Sequence, residues 1–329
     1  MKLSPKSLLR SFALAVLLAA LLGALPGAAH AQQYPSQDIH LVCAFPPGSG
    51  ADVIVRYFGE KLRPIANRTI IVENKTGAQG NLATEYTARA KPDGYTIYVH
   101  AASGVAANVH LFKTSPVDVS KTIMIAATIN QQPFMLVVDA KSPYKTVADL
   151  TAAMKKKGAK ASYATSAPTG TVMGEIYKAK AGAQALEINY KNAQDCLNEL
   201  LSGKLDYGML DPQFTLAQVR EGRLRVLAVS SVKRLQATPD YPTMTESGIP
   251  MDLTGWFAAM LPAGTPQPIV TKVNQWFNQI VKTDETKKFL NSFGGDPYTI
   301  SPEEGQALFL KTIKDWGEYV RIAKIEPKG

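Results

Sequence analysis

The sequence predicts an α/β protein made of two successive blocks, and three observations lead there. Short apolar runs alternate with helix-period patterns from residue 39 to residue 230, as in layered domains built on largely parallel sheets. Gly/Pro-rich loops bound these runs, among them Pro46-Pro47-Gly48-Ser49-Gly50 and Pro92-Asp93-Gly94. The 329 residues are 46% hydrophobic and 19% charged, which supplies two cores at ~100–200 residues per domain and excludes a disordered chain.

Residues 1–31 stand apart from both blocks. Lys2, Lys6 and Arg10 precede an apolar run from Phe12 to Leu25, and Ala29-His30-Ala31 sets small residues where a signal peptidase cuts. The run is shorter than the ~20 residues that cross a bilayer. A secretory leader cleaved after Ala31 is therefore expected, with a soluble mature chain exported to the periplasm. No cysteine lies near the cut, so no lipid anchor is expected.

In the first block, Ile39 to Phe45 reads as a buried strand. A helix follows with Ile54, Phe58 and Leu62 on one face, and Pro64 is expected to stop it. Thr69 to Val72 is the next strand. The loop Asn74-Lys75-Thr76-Gly77-Ala78-Gln79-Gly80 leads to a helix beginning near Asn81, and Tyr95 to Val99 is the third strand. The second block opens with a strand at Phe134 to Val138 and a helix capped by Thr146. Strands at Ala161 to Thr165, Ala185 to Asn189, Leu205 to Leu210 and Arg225 to Ser230 then alternate with helices at Thr171 to Ala181, Ala193 to Leu201 and Phe214 to Glu221. Trp256 to Leu261 is one further strand. The tail is helical, including Ile269 to Val281 and Pro302 to Ala323.

The chemistry points to anions and away from catalysis. Without the leader the net charge falls from +9 to about +6, a balance that favours anionic solutes. The basic residues are scattered, and the run Lys155-Lys156-Lys157 closes a helical pattern, where cations complement the dipole. No nucleic-acid partner is expected. Gly48-Ser49-Gly50 lies where a parallel sheet binds anions, at a strand's carboxyl end before a helix. The same segment also reads as a helix cap, Ser49-x-x-Asp52, that needs no ligand.

Val53 breaks the dinucleotide fingerprint, and neither a nucleotide P-loop nor a GxSxG elbow occurs. His40, His100 and His110 lack metal-ligand spacing and a partner Ser or Cys. His40 reads as structural, and the other two are free to line a cleft. Cys43 and Cys196, in apolar surroundings, read as inert free thiols. No catalytic residue, metal or cofactor is expected.

Taken together the loops resemble one family. Ala44-Phe45-Pro46-Pro47-Gly48-Ser49-Gly50-Ala51-Asp52 is similar to the PFPPGGGTD segment of the Bug-type extracytoplasmic receptors of tripartite tricarboxylate transporters. Val72 to Asn81 resembles that family's VENRPGAGGN loop, and Ala90-Lys91-Pro92-Asp93-Gly94-Tyr95-Thr96 its PDGYT turn. Tyr190-Lys191, Leu205-Asp206, the Gly222 to Val229 strand and Pro262-Ala263-Gly264-Thr265-Pro266 follow in the family's order, so the resemblance spans the mature chain.

The resemblance implies a two-lobed periplasmic-binding-protein fold of the Venus-flytrap, type II-like kind, each lobe a sheet flanked by helices. Residues 32–132 plus 255–329 would form lobe 1 and 133–254 lobe 2. Crossover strands near Phe134 to Val138 and Trp256 to Leu261 would form the hinge. It implies that Gly48, Ser49, Gly50 and Ala51, with Gly77, Ala78, Gly80, Asn81 and Ser103, hold one carboxylate of the solute. Thr165, Ser166, Thr169, Gly170, Thr171, Tyr190 and Asp211 would face it from lobe 2. Phe45 and Tyr190 either pack on the solute's carbon skeleton or belong to the core.

Four segments depart from the common pattern. Ser49-Gly50-Ala51 replaces GGT, Thr171 stands for a frequent histidine, Asn192 for a glycine, and Asp211-Pro212 for Asp-Asn. Backbone binding of the first carboxylate survives these changes, and the distal end of the solute is what they alter. The implied role is a monomeric receptor that delivers a small di- or tricarboxylate to membrane permease subunits. The alternative is an orphan receptor for an aromatic carboxylate or an acidic amino acid that feeds a sensor protein.

Overall fold

The computed structural model describes residues 34–190 and 192–329, and the expected leader at 1–31 lies outside the described residues. The first block and its continuation supply β1 (Ile39–Cys43), β2 (Ile70–Asn74), β3 (Thr96–Ala101) and β4 (Ile123–Gln132). The second supplies β5 (Met135–Asp139), β6 (Ser162–Thr165), β7 (Leu186–Asn189), β8 (Tyr207–Leu210) and β9 (Leu224–Val229). The chain then adds β10 (Gly255–Pro262) and β11 (Asp296–Pro297). A six-stranded sheet runs β11-β4-β10-β3-β1-β2, and a five-stranded sheet runs β7-β6-β8-β5-β9. Each sheet is flanked by helices, giving the two-lobed architecture.

The sheets are mixed, which corrects the expectation of largely parallel ones. β1 is parallel to β2 and β3, while β10 is antiparallel to β3 and β4. Likewise β6 is parallel to β7 and β8, while β5 is antiparallel to β8 and β9. The cause is the chain path. β5 and β10 are the strands entered after the chain passes from one sheet to the other, and each runs against its neighbours. What remains parallel is one triad per lobe, β3-β1-β2 and β8-β6-β7, each with its central strand first in the chain. The carboxyl ends of such a triad open at a topological switch point, where α/β sheets bind ligands.

A second correction concerns Pro64. The helix Gly50–Ala66 continues past it, because a proline in the last turn removes one hydrogen bond near an end that Asn67, left-handed at φ 51°, then terminates. The helix buries Ile54, Phe58 and Leu62 as expected, with Phe58 stacked on Phe277 of the helix Gln267–Val281 at 5.6 Å. Thr146 and Ser301 open the helices Val147–Lys157 and Pro302–Ile322 with full capping boxes.

The two passages between sheets run side by side and are knotted by Ser230. Its N–H donates to the Phe134 carbonyl at 2.9 Å, and its hydroxyl accepts from the Phe134 N–H at 2.8 Å. The hydroxyl also donates to the Leu253 carbonyl at 3.0 Å. The two passages are thereby joined at a fully buried serine. Around them one buried cluster is continuous from the first sheet, through Val42, Tyr98 and Met260, to Leu136 and Tyr163 of the second and Met173 of the helix Pro168–Ala181.

Candidate functional site

Six helices start where the two strand triads end, and their N-termini are finished in two ways. Ser49, Asn192 and Asp211 cap theirs, accepting the N–H groups of Asp52, Asp195 and Phe214. The helices Asn81–Ala88, Ala102–Leu111 and Pro168–Ala181 follow Gly80, Ala101 and Ala167, which offer no side-chain cap. Uncapped ends keep unpaired N–H groups and the positive end of the helix dipole available to an anion. Two of them belong to the first lobe and one to the second.

In the first lobe the loops are braced by Asp52, which is 1% exposed. Its carboxylate accepts the Gly48 N–H, Arg56 Nε and Asn74 Nδ2, each at 2.8 Å. Asn74 also donates to the Phe45 carbonyl, so the loops after β1 and β2 are tied together. Burial alone would raise the Asp52 pKa, but the bonds from Arg56, Asn74 and Gly48 outweigh it and hold the carboxyl below its usual value. Ser49 caps the helix, its Oγ 3.3 Å from the Asp52 nitrogen, and as an acceptor it keeps its own proton to donate. Gly48 is exposed, with Ser49, Gly50 and Ala51 half-buried beside it.

The loop after β2 carries backbone strain. Ala78 and Gln79 sit at φ 45° and 52°, ahead of Gly80 at 94°. Non-glycine residues in this region cost on the order of 1–3 kcal/mol and cluster at ligand clamps. Gly80 itself admits no side chain, since a Cβ would lie 3.2 Å from His100 Nε2 and 3.4 Å from Ala44 Cβ. Asn108 Nδ2 fixes the turn by donating to the Gln79 carbonyl and to Asn81 Oδ1, both at 2.9 Å. Gly77 and Ala78 stay exposed. Ser103, in the first turn of Ala102–Leu111, has its Oγ 3.4 Å from the Trp256 N–H.

His100 forms the floor under these loops. It is 3% exposed, with ring centroids 5.0 Å from Phe45 and 5.2 Å from Tyr98, and its Nδ1 has no partner. Burial pushes its pKa down to about 3, so the imidazole is neutral. His40 instead pairs with Glu73, and His110 meets the Ile313 carbonyl at 2.8 Å.

In the second lobe most of the expected groups are already engaged. Thr165 Oγ1 donates to the Ala167 carbonyl at 3.0 Å and accepts its N–H at 3.3 Å. Gly170 is closed in, since a Cβ there would lie 2.1 Å from Thr165 Oγ1 and 2.5 Å from the Met209 carbonyl. The Thr171 hydroxyl donates to Glu187, and the Tyr190 hydroxyl to Glu199 Oε2 at 2.6 Å. Asp211 caps its helix ahead of Pro212, where a missing N–H costs nothing. Desolvation raises the Asp211 carboxyl against the opposing bond from the Phe214 N–H. Ser166, just before the helix, and Thr169, in its uncapped first turn, are half-buried.

Two cavities adjoin these elements. One of about 310 Å³ joins Ser103 and Thr169 across the lobes, beside residues 231–235 and 252–254 and the helix Pro302–Ile322. The other, about 540 Å³, joins Gln79 to Ser166, Thr171 and Glu187. The lobes also touch through Gln213, whose Nε2 donates to Gln132 Oε1 at 2.8 Å, and a Cβ on Gly50 would lie 3.3 Å from Gln213 Cβ. Sequence reasoning missed Gln132, Gln213 and the floor role of His100. The available signal was the polar pair Gln131-Gln132 closing an apolar run just before the chain changes sheets.

Both cysteines are buried free thiols. Burial raises both, Cys196 to about 12, so neither is a thiolate at neutral pH. Among the described residues no group of three or more His, Cys, Asp or Glu is arranged to hold a metal ion, and no helix is long and apolar enough to cross a membrane.

Known proteins share this architecture. Protein BugT of Bordetella pertussis is 27% identical over 295 residues, covering 88% of this chain and 90% of BugT. The R. palustris protein Rpa4515, solved with adipate, superposes with a TM-score of 0.81 at 27% identity, covering 89% of this chain and 99% of that one. The periplasmic binding protein BugD superposes with a TM-score of 0.77 at 28% identity, covering 90% of this chain and 100% of BugD. The family described as tripartite tricarboxylate transporter family receptor (TctC) matches residues 54–325. With its two lobes, its paired strand triads and that match along most of its length, the chain belongs to the TctC family of periplasmic solute-binding receptors.

Proposed function

We propose that this receptor captures a small di- or tricarboxylate between its lobes in the periplasm and delivers it, unchanged, to the permease of a tripartite tricarboxylate transporter. The observation that carries the reading is the set of three uncapped helix N-termini, two in the first lobe and one in the second. The adipate bound by Rpa4515 supports the same ligand chemistry. In this reading the leader is removed after Ala31, and residues 32–132 with 255–329 move as one body against 133–254. One carboxylate rests on the backbone N–H groups of Gly50, Ala51, Gly77 and Ala78, in loops whose turns Gly48, Ser49, Gly80 and Asn81 close with their own N–H groups, and the Ser103 hydroxyl completes the half-site.

Magnitudes require both lobes. A carboxylate at a partly buried helix N-terminus contributes up to ~2 kcal/mol. Micromolar affinity corresponds to ~8 kcal/mol. The remainder must come from the far end of the solute and from enclosed apolar area, contacts made only when the lobes close. That differential affinity drives closure.

A thermal-shift screen of the mature protein against mono-, di- and tricarboxylates, aromatic acids and acidic amino acids tests the reading, since a bound solute raises Tm by mass action. The expected result is stabilisation by one carboxylate class, abolished by Ser49→Asp. Absence of a shift with every carboxylate overturns it. Stabilisation by aromatic acids or acidic amino acids alone replaces the di- or tricarboxylate with that class.

A further inference from the structure

We infer that the helix Pro212–Arg220 is the latch that holds the lobes together over the solute, and that Gln213 positions it through a hydrogen bond to Gln132 made when the cleft closes. The inference rests on the carboxylate-receptor reading above and names residues that set affinity without touching the solute.

The helix follows β8 of the five-stranded sheet, and local chemistry fixes its start. Asp211 caps it by accepting the Phe214 N–H at 2.9 Å, and Pro212 presets the backbone of the first turn. From that turn Gln213 reaches out of its own lobe. Its Nε2 donates to Gln132 Oε1 at 2.8 Å, on the last residue of β4 in the six-stranded sheet. Asn130 Nδ2 faces the same oxygen at 3.4 Å, and Asn130 Oδ1 faces the Phe257 N–H of β10 at 3.3 Å. Asn130 is fully buried and Gln132 is 7% exposed, so the acceptor is part of the first sheet's packed edge.

Two glycines of the first lobe let the helix come this close. A Cβ on Gly50 would lie 3.3 Å from Gln213 Cβ, and one on Gly294 would lie 2.8 Å from both Pro212 Cβ and Leu216 Cδ1. Gly294 also sits at φ 78°, in the turn before β11, where a side chain would strain the backbone. At the far end of the helix Arg220 reaches the Ser292 carbonyl at 3.4 Å. Pro212, Leu216 and Arg220 are spaced i, i+4 and i+8, so one face of the helix lies against the first lobe. Gln213 stands at the end of that face nearest Gly50, whose N–H is offered to the carboxylate. Closure of the cleft and seating of the solute therefore meet at one place. A bond present only in the closed state adds to solute affinity, because closure and binding are linked.

The test is a double-mutant cycle on the mature protein, read by calorimetric titration and by stopped-flow tryptophan fluorescence for the rates. The probes are succinate, adipate, citrate and terephthalate, and the one bound most tightly is carried into the variants. Gln213→Ala is expected to weaken it about tenfold through faster dissociation, with the association rate within about twofold. Gln132→Ala should do the same, and the double variant should be no weaker than either single one within about twofold. The solute-free Tm of Gln213→Ala should stay within about 1 °C of the parent, since the bond belongs to the closed state. Unchanged affinity in Gln213→Ala overturns the latch and leaves the receptor reading standing. Effects that multiply to about a hundredfold in the double variant show the two residues acting separately, and also overturn it. A solute-free Tm several degrees lower places the bond in the open state as well and overturns its assignment to closure. Failure of the unsubstituted protein to bind any of the four acids overturns both the latch and the carboxylate reading.

Discussion

The two lobes carry the same strand triad, β3-β1-β2 and β8-β6-β7, yet they use the polar groups at its carboxyl end in opposite ways. In the first lobe the side chains brace the loops from behind. Asp52, Asn74 and Asn108 hold the turns, while Gly48, Gly77 and Ala78 leave backbone exposed toward the cleft. In the second lobe Thr165, Thr171, Tyr190, Asn192 and Asp211 are turned inward, where they cap helices or bond within the lobe. The difference teaches that equivalent topology does not imply equivalent recognition. One lobe presents exposed loop backbone beside two uncapped helices, and the other presents engaged side chains beside one uncapped helix.

The most severe way to break this contrast is to crowd the second-lobe turn. Gly170→Ala drives a Cβ into Thr165 Oγ1 and the Met209 carbonyl, and overpacking of this kind costs about 3 kcal/mol. Urea unfolding should show that loss. A variant as stable as the parent would mean the turn is loose and its donors are available to solute after all.

The next effect, about 2 kcal/mol, concerns the floor of the first-lobe site. The folded His100 pKa is about 3, below its ordinary value of 6.5, so the unfolded chain takes up a proton that the folded chain refuses. The sign follows. His100 costs almost nothing above pH 6.5, and stability is lost progressively as pH falls from 6.5 toward 3. Between pH 7 and pH 5 the parent should lose about 2 kcal/mol more than His100→Phe, measured from urea midpoints. Equal losses in the two proteins would show that solvent or an acceptor reaches the imidazole.

The smallest effect sharpens the comparison from the other side. Tyr190→Phe removes the bond to Glu199 and should cost about 1 kcal/mol of stability while leaving carboxylate affinity within about twofold. Calorimetric titration with the solute from the screen decides it. A large loss of affinity would put the hydroxyl in the cleft and return the second lobe to the role its sequence resemblance implies.

Much of this molecule was legible before any coordinates. The apolar run of β1, the stripe Ile54, Phe58 and Leu62, the Thr146 cap and the glycine loops all lie where local pattern puts them, because burial and capping act within a few residues. β4 and the helix Ala102–Leu111 were not legible. β4 is buried along nearly its whole length and so lacks alternation, and the helix is buried on too many sides to show a stripe. Both owe their state to neighbours distant in sequence.

The sequence by itself determined the α/β class, the glycine-bearing loops before helices and the order of motifs that aligns with one receptor family. These depend on residue type and short spacing. Only the tertiary structure decided which hydroxyls are spent and which remain. Whether Thr171 meets Glu187 or Tyr190 meets Glu199 depends on how strands and helices pack, and a hydroxyl has one proton to give.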